Sequence, residues 1–236
     1  MIPLRDDNPT SIKPVVTITL VALCVVVFVW ELSLGQALER AIYSFGAIPA
    51  VLFGNKALNP ELVAIPAGLT VISSMFLHGG WMHLIGNMLY LWIFGNNIED
   101  SMGHIKFIVF YIVCGIAAAF AHALLEPTST IPMIGASGAI SGVLGAYLLL
   151  FPRARVYVAI PIGFFVHAAY LPAMFVLGFW FVLQLISSAF APPGQGGIAF
   201  FAHIGGFIAG MALIPFFKYR NVRFFNPPHN RGRRIR

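Results

Sequence analysis

Three short stretches of this 236-residue chain carry side chains that can do chemistry in apolar surroundings. They are His78-Gly-Gly-Trp-Met-His83-Leu-Ile-Gly-Asn87, Gly135-Ala-Ser137-Gly138 and His203-Ile-Gly-Gly206. A serine hydroxyl becomes a nucleophile when an imidazole takes its proton. Amide and imidazole N–H groups can stabilise the oxyanion that the attack creates. The chain therefore holds the parts for acyl transfer. Other hydrolytic designs lack theirs. The eight acids (Asp6, Asp7, Glu31, Glu39, Glu61, Glu99, Asp100 and Glu126) fall in tails, connections or at the ends of apolar runs. A paired-aspartate site needs two carboxyls sharing one location. A His-Glu-x-x-His zinc site needs a glutamate between its ligands. Neither pattern is present, so no metal and no cofactor is expected.

The surroundings follow from composition. Hydrophobic residues make up 59% of the chain and charged ones 9%, against about 25% charged in a soluble domain. Such a chain cannot cover a water-facing surface, and its solvent is mostly lipid. A bilayer core needs about 20 apolar residues per helix. Six segments approach this, at about 15–33, 70–95, 105–125, 134–151, 171–190 and 198–217. The first apolar run, Val15 to Trp30, is longer than a signal-peptide core and no small-residue cleavage site follows it. Two connections are too interrupted to cross: 34–69, expected as an interfacial element, and Arg153–Tyr170. Cys24 and Cys114 lie inside apolar runs without metal or redox spacing and read as buried thiols.

Six crossings put both termini on one side. Of the 14 basic residues, only Arg40 and Lys56 then fall on the other side, and half lie from Lys218 onward. Cytoplasmic segments are enriched in Lys and Arg, so both ends are expected in the cytoplasm. The basic tail thereby has a topological origin, and nucleic acid is not an expected partner. The expected organisation is a tail over 1–14, a six-helix membrane domain over 15–217 and a basic tail over 218–236. The second, fourth and sixth spans all begin on the outer side, so the three polar clusters share one depth. His83 and Asn87, four apart, share a helix face. Gly138, Gly142 and Gly145 form one small-residue stripe and Gly206 and Gly210 another. Such stripes let helix backbones approach closely in lipid, which would bring Ser137 and His203 within reach.

Each residue also has a plainer role. A membrane serine often bonds back to its own helix, His203 could be an interhelical bond, and Asn87 could be helix–helix glue. His78, His104, His122 and His167 read as structural or interfacial.

Taken together, Gly135-Ala-Ser137-Gly138, His203-x-x-Gly206-x-x-x-Gly210 and His83-x-x-x-Asn87 resemble the rhomboid family of intramembrane serine proteases. The resemblance implies an all-α, six-helix membrane bundle with a membrane-associated first loop and a Ser–His dyad without an acid. On it, Ser137 is the nucleophile and His203 the base, with His83, Asn87, Gly135 and Gly138 around the oxyanion. Gly142, Gly206 and Gly210 pack helices. It also implies a cap at Pro192–Gly197, a fifth span that helps admit substrate, and transmembrane proteins as substrates in the lipid bilayer. The Trp-Arg pair of some members is absent from the first loop. The short tails fit a bacterial cell membrane. Two other functions stay open: an inactive relative that binds membrane clients, and a transporter using the polar residues as a path.

Overall fold

The computed structural model describes residues 1–190 and 199–226. Strand β1 (Ile2–Asp6) precedes helix α1 (Val15–Ser33), followed by the short helices α2 (Leu38–Phe45), α3 (Pro49–Leu52) and α4 (Ala67–Ser73). Helix α5 (Trp81–Tyr90) runs through a π-helical turn at Leu91–Gly95 into α6 (Asn96–Met102). Next come α7 (His104–Leu125), α8 (Ser137–Leu150), the strands β2 (Arg155–Ile162) and β3 (Phe165–Pro172), and helices α9 (Ala173–Phe190) and α10 (Phe200–Phe217).

Four of these helices, α1, α7, α9 and α10, are long and apolar enough to cross a membrane. The second apolar segment is not the single straight helix expected over 70–95. It breaks at 77–80, and Pro60–Phe76 meets Trp81–Met102 at 82°, a bent pair that makes a fifth candidate. Helix α8 is apolar but has only 14 residues. Four to five of the six expected spans therefore qualify by length and composition.

The all-α expectation is corrected by a three-stranded antiparallel sheet in the order β1-β2-β3. The Arg153–Tyr170 connection, expected only not to cross, is its hairpin: Ile162 faces Phe165 across a two-residue turn and Arg155 faces Pro172. Its β-branched and aromatic residues favour extended backbone, and Gly163 supplies a positive φ of 59° at the turn. Val156 and Val158 are fully buried against the helices. Ile2 pairs with Ala159 and Asp6 with Val156, so the first residues are part of the fold rather than a tail. The stretch after α10 is likewise docked. The Tyr219 N–H donates to the Ser101 carbonyl, and those of Phe225 and Asn226 to Leu149 and Leu150, each at 2.9 Å. Both ends of the described chain thus pack where α8 ends. The remaining basic tail, including Arg231, Arg233, Arg234 and Arg236, and the expected cap at 192–197 lie outside the described residues.

Helix α1 has no side-chain cap of its own at Pro14. Its first amides are satisfied from α6: the Glu99 carboxylate accepts from the N–H of Val16 (2.9 Å) and Thr17 (2.8 Å) and from the Thr17 hydroxyl (2.7 Å). An acid at a helix N-terminus also meets the favourable end of the dipole. At the same end of the bundle, Asp6 accepts from the Tyr147 hydroxyl (2.6 Å) and from Asn97 Nδ2 (2.9 Å), pinning β1 to α8 and α6.

Burial pushes the Asp6 carboxyl from its ordinary 3.8 up to about 6, against the opposing pull of the Tyr147 hydrogen bond. A carboxyl raised on docking favours the docked state in acid. That contribution is lost as pH rises from the free value through the docked one. Hydrogen exchange at the Ile2–Asp6 amides, corrected for intrinsic rates, should show protection growing as pH drops from about 7 to about 5. Asp6→Asn should remove the dependence. Flat protection in the native chain would contradict this account.

Candidate active site

Helices α8 and α10 meet backbone to backbone. A methyl group on Gly206 would run into the Gly138 carbonyl oxygen, one on Gly210 into that of Gly142, and one on Gly145 into that of Phe207. Cys114 of α7 closes the other side of Gly142, where an added Cβ would stand 2.5 Å from the Cys114 Cβ. The stripes expected to pack therefore face one another. Cys24 and Cys114 are both buried and unpaired.

That closeness sets the central contact. Ser137 is the first residue of α8 and His203 lies in the first turn of α10. The Ser137 Oγ stands 2.7 Å from His203 Nε2. The back-bond expected of a lone membrane serine is made instead by Ser141, whose hydroxyl donates to the Ser137 carbonyl at 2.6 Å. On the far side of the ring, His203 Nδ1 stands 2.8 Å from Oε1 of Gln184 on α9. Trp180, one turn earlier on α9, lies beside the imidazole with centroids 5.9 Å apart.

His83 and Asn87 approach from α5. The Gly79 N–H donates to His83 Nδ1 at 3.3 Å. A ring nitrogen that accepts carries no proton, which leaves Nε2 as the donor of a neutral His83. That nitrogen lies against Gly135, where an added Cβ would stand 2.6 Å from it and 3.7 Å from Asn87 Nδ2. Gly135 also has φ of 118°, a conformation that side chains rarely adopt. The Asn87 Nδ2 is buried without a hydrogen-bond partner among the described residues. Two N–H donors thus converge two residues before Ser137. The loop carrying Gly135 is tied down by its N–H bond to the Ser74 carbonyl (2.8 Å) and by pairing of Ala47 with Met133. The first connection therefore braces the site directly.

His78 borders the site, its ring 5.2 Å from that of His83 and its N–H donating to the buried Glu31 carboxylate at 3.1 and 3.2 Å. The other histidines do not join. His104 pairs with Glu99, His122 lies 3.9 Å from Glu126, and His167 is on β3. Gln184, Trp180 and the buried carboxylates Glu31 and Glu99 were not singled out from sequence. A signal existed for Gln184, because an amide inside an apolar helix is a functional marker by the same rule that flags the histidines.

These features define a helical membrane protein with a serine–histidine pair set in its apolar body. The sequence profile of the rhomboid domain matches residues 67–220, and the chain belongs to the rhomboid family. The chain is 30% identical over 203 residues to the rhomboid protease GluP of Bacillus subtilis, covering 85% of this chain and 35% of that protein. It is 28% identical over 180 residues to RHOMBOID-like protein 5 of Arabidopsis thaliana, covering 74% and 54%. With Rhomboid-like protease 5 of Toxoplasma gondii it shares 33% over 159 residues, 66% of this chain and 17% of that protein. The chain thus spans about half or less of the length of these relatives.

The glycine contact gives a stability test. Gly206→Ala and Gly210→Ala force the two backbones apart and should cost about 1–3 kcal/mol each, as overpacking does. An added Cβ at Gly178 of α9 meets nothing within 4 Å, so Gly178→Ala should not destabilise. Unfolding midpoints of the purified variants in detergent check this, and equal midpoints for all three would refute the packing role.

Proposed function

We propose that this chain is an intramembrane serine endopeptidase that cleaves transmembrane segments near the outer membrane face. The observation that carries the reading is the 2.7 Å contact between Ser137 Oγ and His203 Nε2. Ser137 attacks the scissile carbonyl while His203 takes its proton and later passes it to the leaving amine. The Nε2–H of His83, the Nδ2–H of Asn87 and the Ser137 backbone N–H, one of the unsatisfied donors at a helix start, stabilise the oxyanion. Water then hydrolyses the acyl-enzyme, which requires a polar path to the outer face.

Helix length supports the depth. Fourteen residues rise about 21 Å, short of a bilayer core of about 30 Å. Arg153 and Arg155 follow the C-terminal end of α8 and hold it at the cytoplasmic boundary under the positive-inside rule. Ser137 then lies several ångströms beneath the outer boundary. Six crossings with both termini cytoplasmic are supported by residues 2–6 and 219–226, which dock at the same end of the bundle. A transporter path would need polar groups through the whole bilayer, whereas these gather at one level. An inactive client-binding relative would have no need for the Ser–His contact. A bacterial cell membrane remains our reading of the location.

Ser137→Ala should abolish cleavage of a transmembrane substrate by the purified, folded protein, and undiminished cleavage would remove Ser137 from its role. Asn87→Ala should retain some turnover, reduced by about 10²–10³, the usual cost of losing one oxyanion donor. A loss as complete as that of Ser137→Ala would point to a structural role for Asn87 instead.

A further inference from the structure

We propose that Gln184 is a positioning residue for His203, an inference that rests on the protease reading above. For Ser137 to be activated, His203 Nε2 must present a lone pair to the hydroxyl, so the imidazole proton must reside on Nδ1. An isolated imidazole does not hold that tautomer by itself. In this chain Nδ1 faces Gln184 Oε1 at 2.8 Å. An amide oxygen can only accept, and a bare Nδ1 would set lone pair against lone pair. With the amide oxygen turned toward the ring, the pair is stable only with the proton on Nδ1, which leaves Nε2 to accept from Ser137.

The placement is built rather than incidental. Trp180 and Gln184 are four apart and share one face of α9. Trp180 lies 5.9 Å from the His203 ring and 6.1 Å from the Phe207 ring, and Phe181 stacks on Phe207 at 4.5 Å. These aromatic contacts key α9 into α10 and fix the height at which the amide meets the imidazole. An amide suits the setting. A carboxylate here would have to be desolvated in the apolar body at a cost of several kcal/mol, whereas a neutral amide supplies the acceptor without burying a charge. The arrangement does for His203 what a buried acid does in a soluble serine–histidine–acid site, by tautomer control alone.

The test uses the full-length purified protein in detergent and a small alkyl fluorophosphonate, which reports acylation of Ser137 without substrate entry. Gln184→Leu keeps the bulk and removes the acceptor, and should lower the labelling rate at neutral pH about tenfold. Gln184→Glu restores the acceptor and adds charge. It should recover most of the rate and move the acidic limb of the pH–rate profile upward by about one unit. A merely structural role would not produce that shift. A Leu variant labelled at the native rate, or a Glu profile superimposed on the native one, would overturn the proposal. Imidazole ¹⁵N spectra supply a readout independent of activity. Native His203 should carry its proton on Nδ1, and the Leu variant should show a mixture. A native proton on Nε2 would also overturn it. Absence of Ser137 labelling in the native protein, with Nδ1 protonated as expected, would instead sink the protease reading and leave the tautomer assignment standing.

Discussion

The structure depends first on how closely two peptide backbones can lie in lipid. Helices in a membrane gain little from burying apolar surface against one another, because lipid tails are as apolar as leucine. Association then relies on packing and on close approach at small residues. Gly138, Gly142 and Gly145 of α8 meet Gly206, Phe207 and Gly210 of α10 with no room for a methyl group between several of them. Ser137 and His203 sit at the same end of that seam. Their 2.7 Å contact is a short vector between two side chains of fixed length, so it exists only while the backbones stay in contact. The Ser137–His203 contact and the packing are one constraint.

A second constraint holds α5, which carries His83 and Asn87. Helix α1 is clamped at both ends by buried carboxylates. Glu99 from α6 caps its first amides, and Glu31 near its C-terminal end accepts from the His78 N–H, three residues before α5 begins. These acids are 0% and 1% exposed. Burying a carboxylate is tolerable only when its oxygens are hydrogen-bonded, and both are. The two clamps fix the register of α1 against the whole α5–α6 rod, and through it the height of the His83 and Asn87 donors relative to Gly135. Acids that lie at the ends of apolar runs in sequence thus act on the site through the backbone.

How much could be read in the sequence follows from what polarity costs in lipid. Ser137, His203, His83 and Asn87 stood out because each is an isolated polar group in an apolar run, and three runs agreed on depth. The glycine seam was legible as spacing. The β-hairpin was not, because Arg155–Pro172 is apolar on both faces and shows little two-residue alternation, and because the strand that completes the sheet, Ile2–Asp6, is about 150 residues away. The bend at 77–80 was hidden by apolar flanks that continue a helical pattern across His78-Gly79-Gly80. Gln184 was not legible because a single amide on one helix has no partner until α9 and α10 are placed side by side.

The helix that supplies Gln184 is also the least buried of the four long ones, with 17% of its membrane-length window inside the fold against 44% for α7. The two halves of the site therefore differ in rigidity. Ser137 and the donors around Gly135 are held by α7, α8 and the first connection, through backbone hydrogen bonds and a seam without slack. Among the described residues, the outer face of the His203 ring is held by α9, through one 2.8 Å bond and aromatic contact. Ser137 lies on α8 and His83 and Asn87 on α5, so a shift of α9 would reach the site through the Gln184 bond to His203. On the reading proposed above, the tautomer of the His203 base is tied to the least buried of the four long helices.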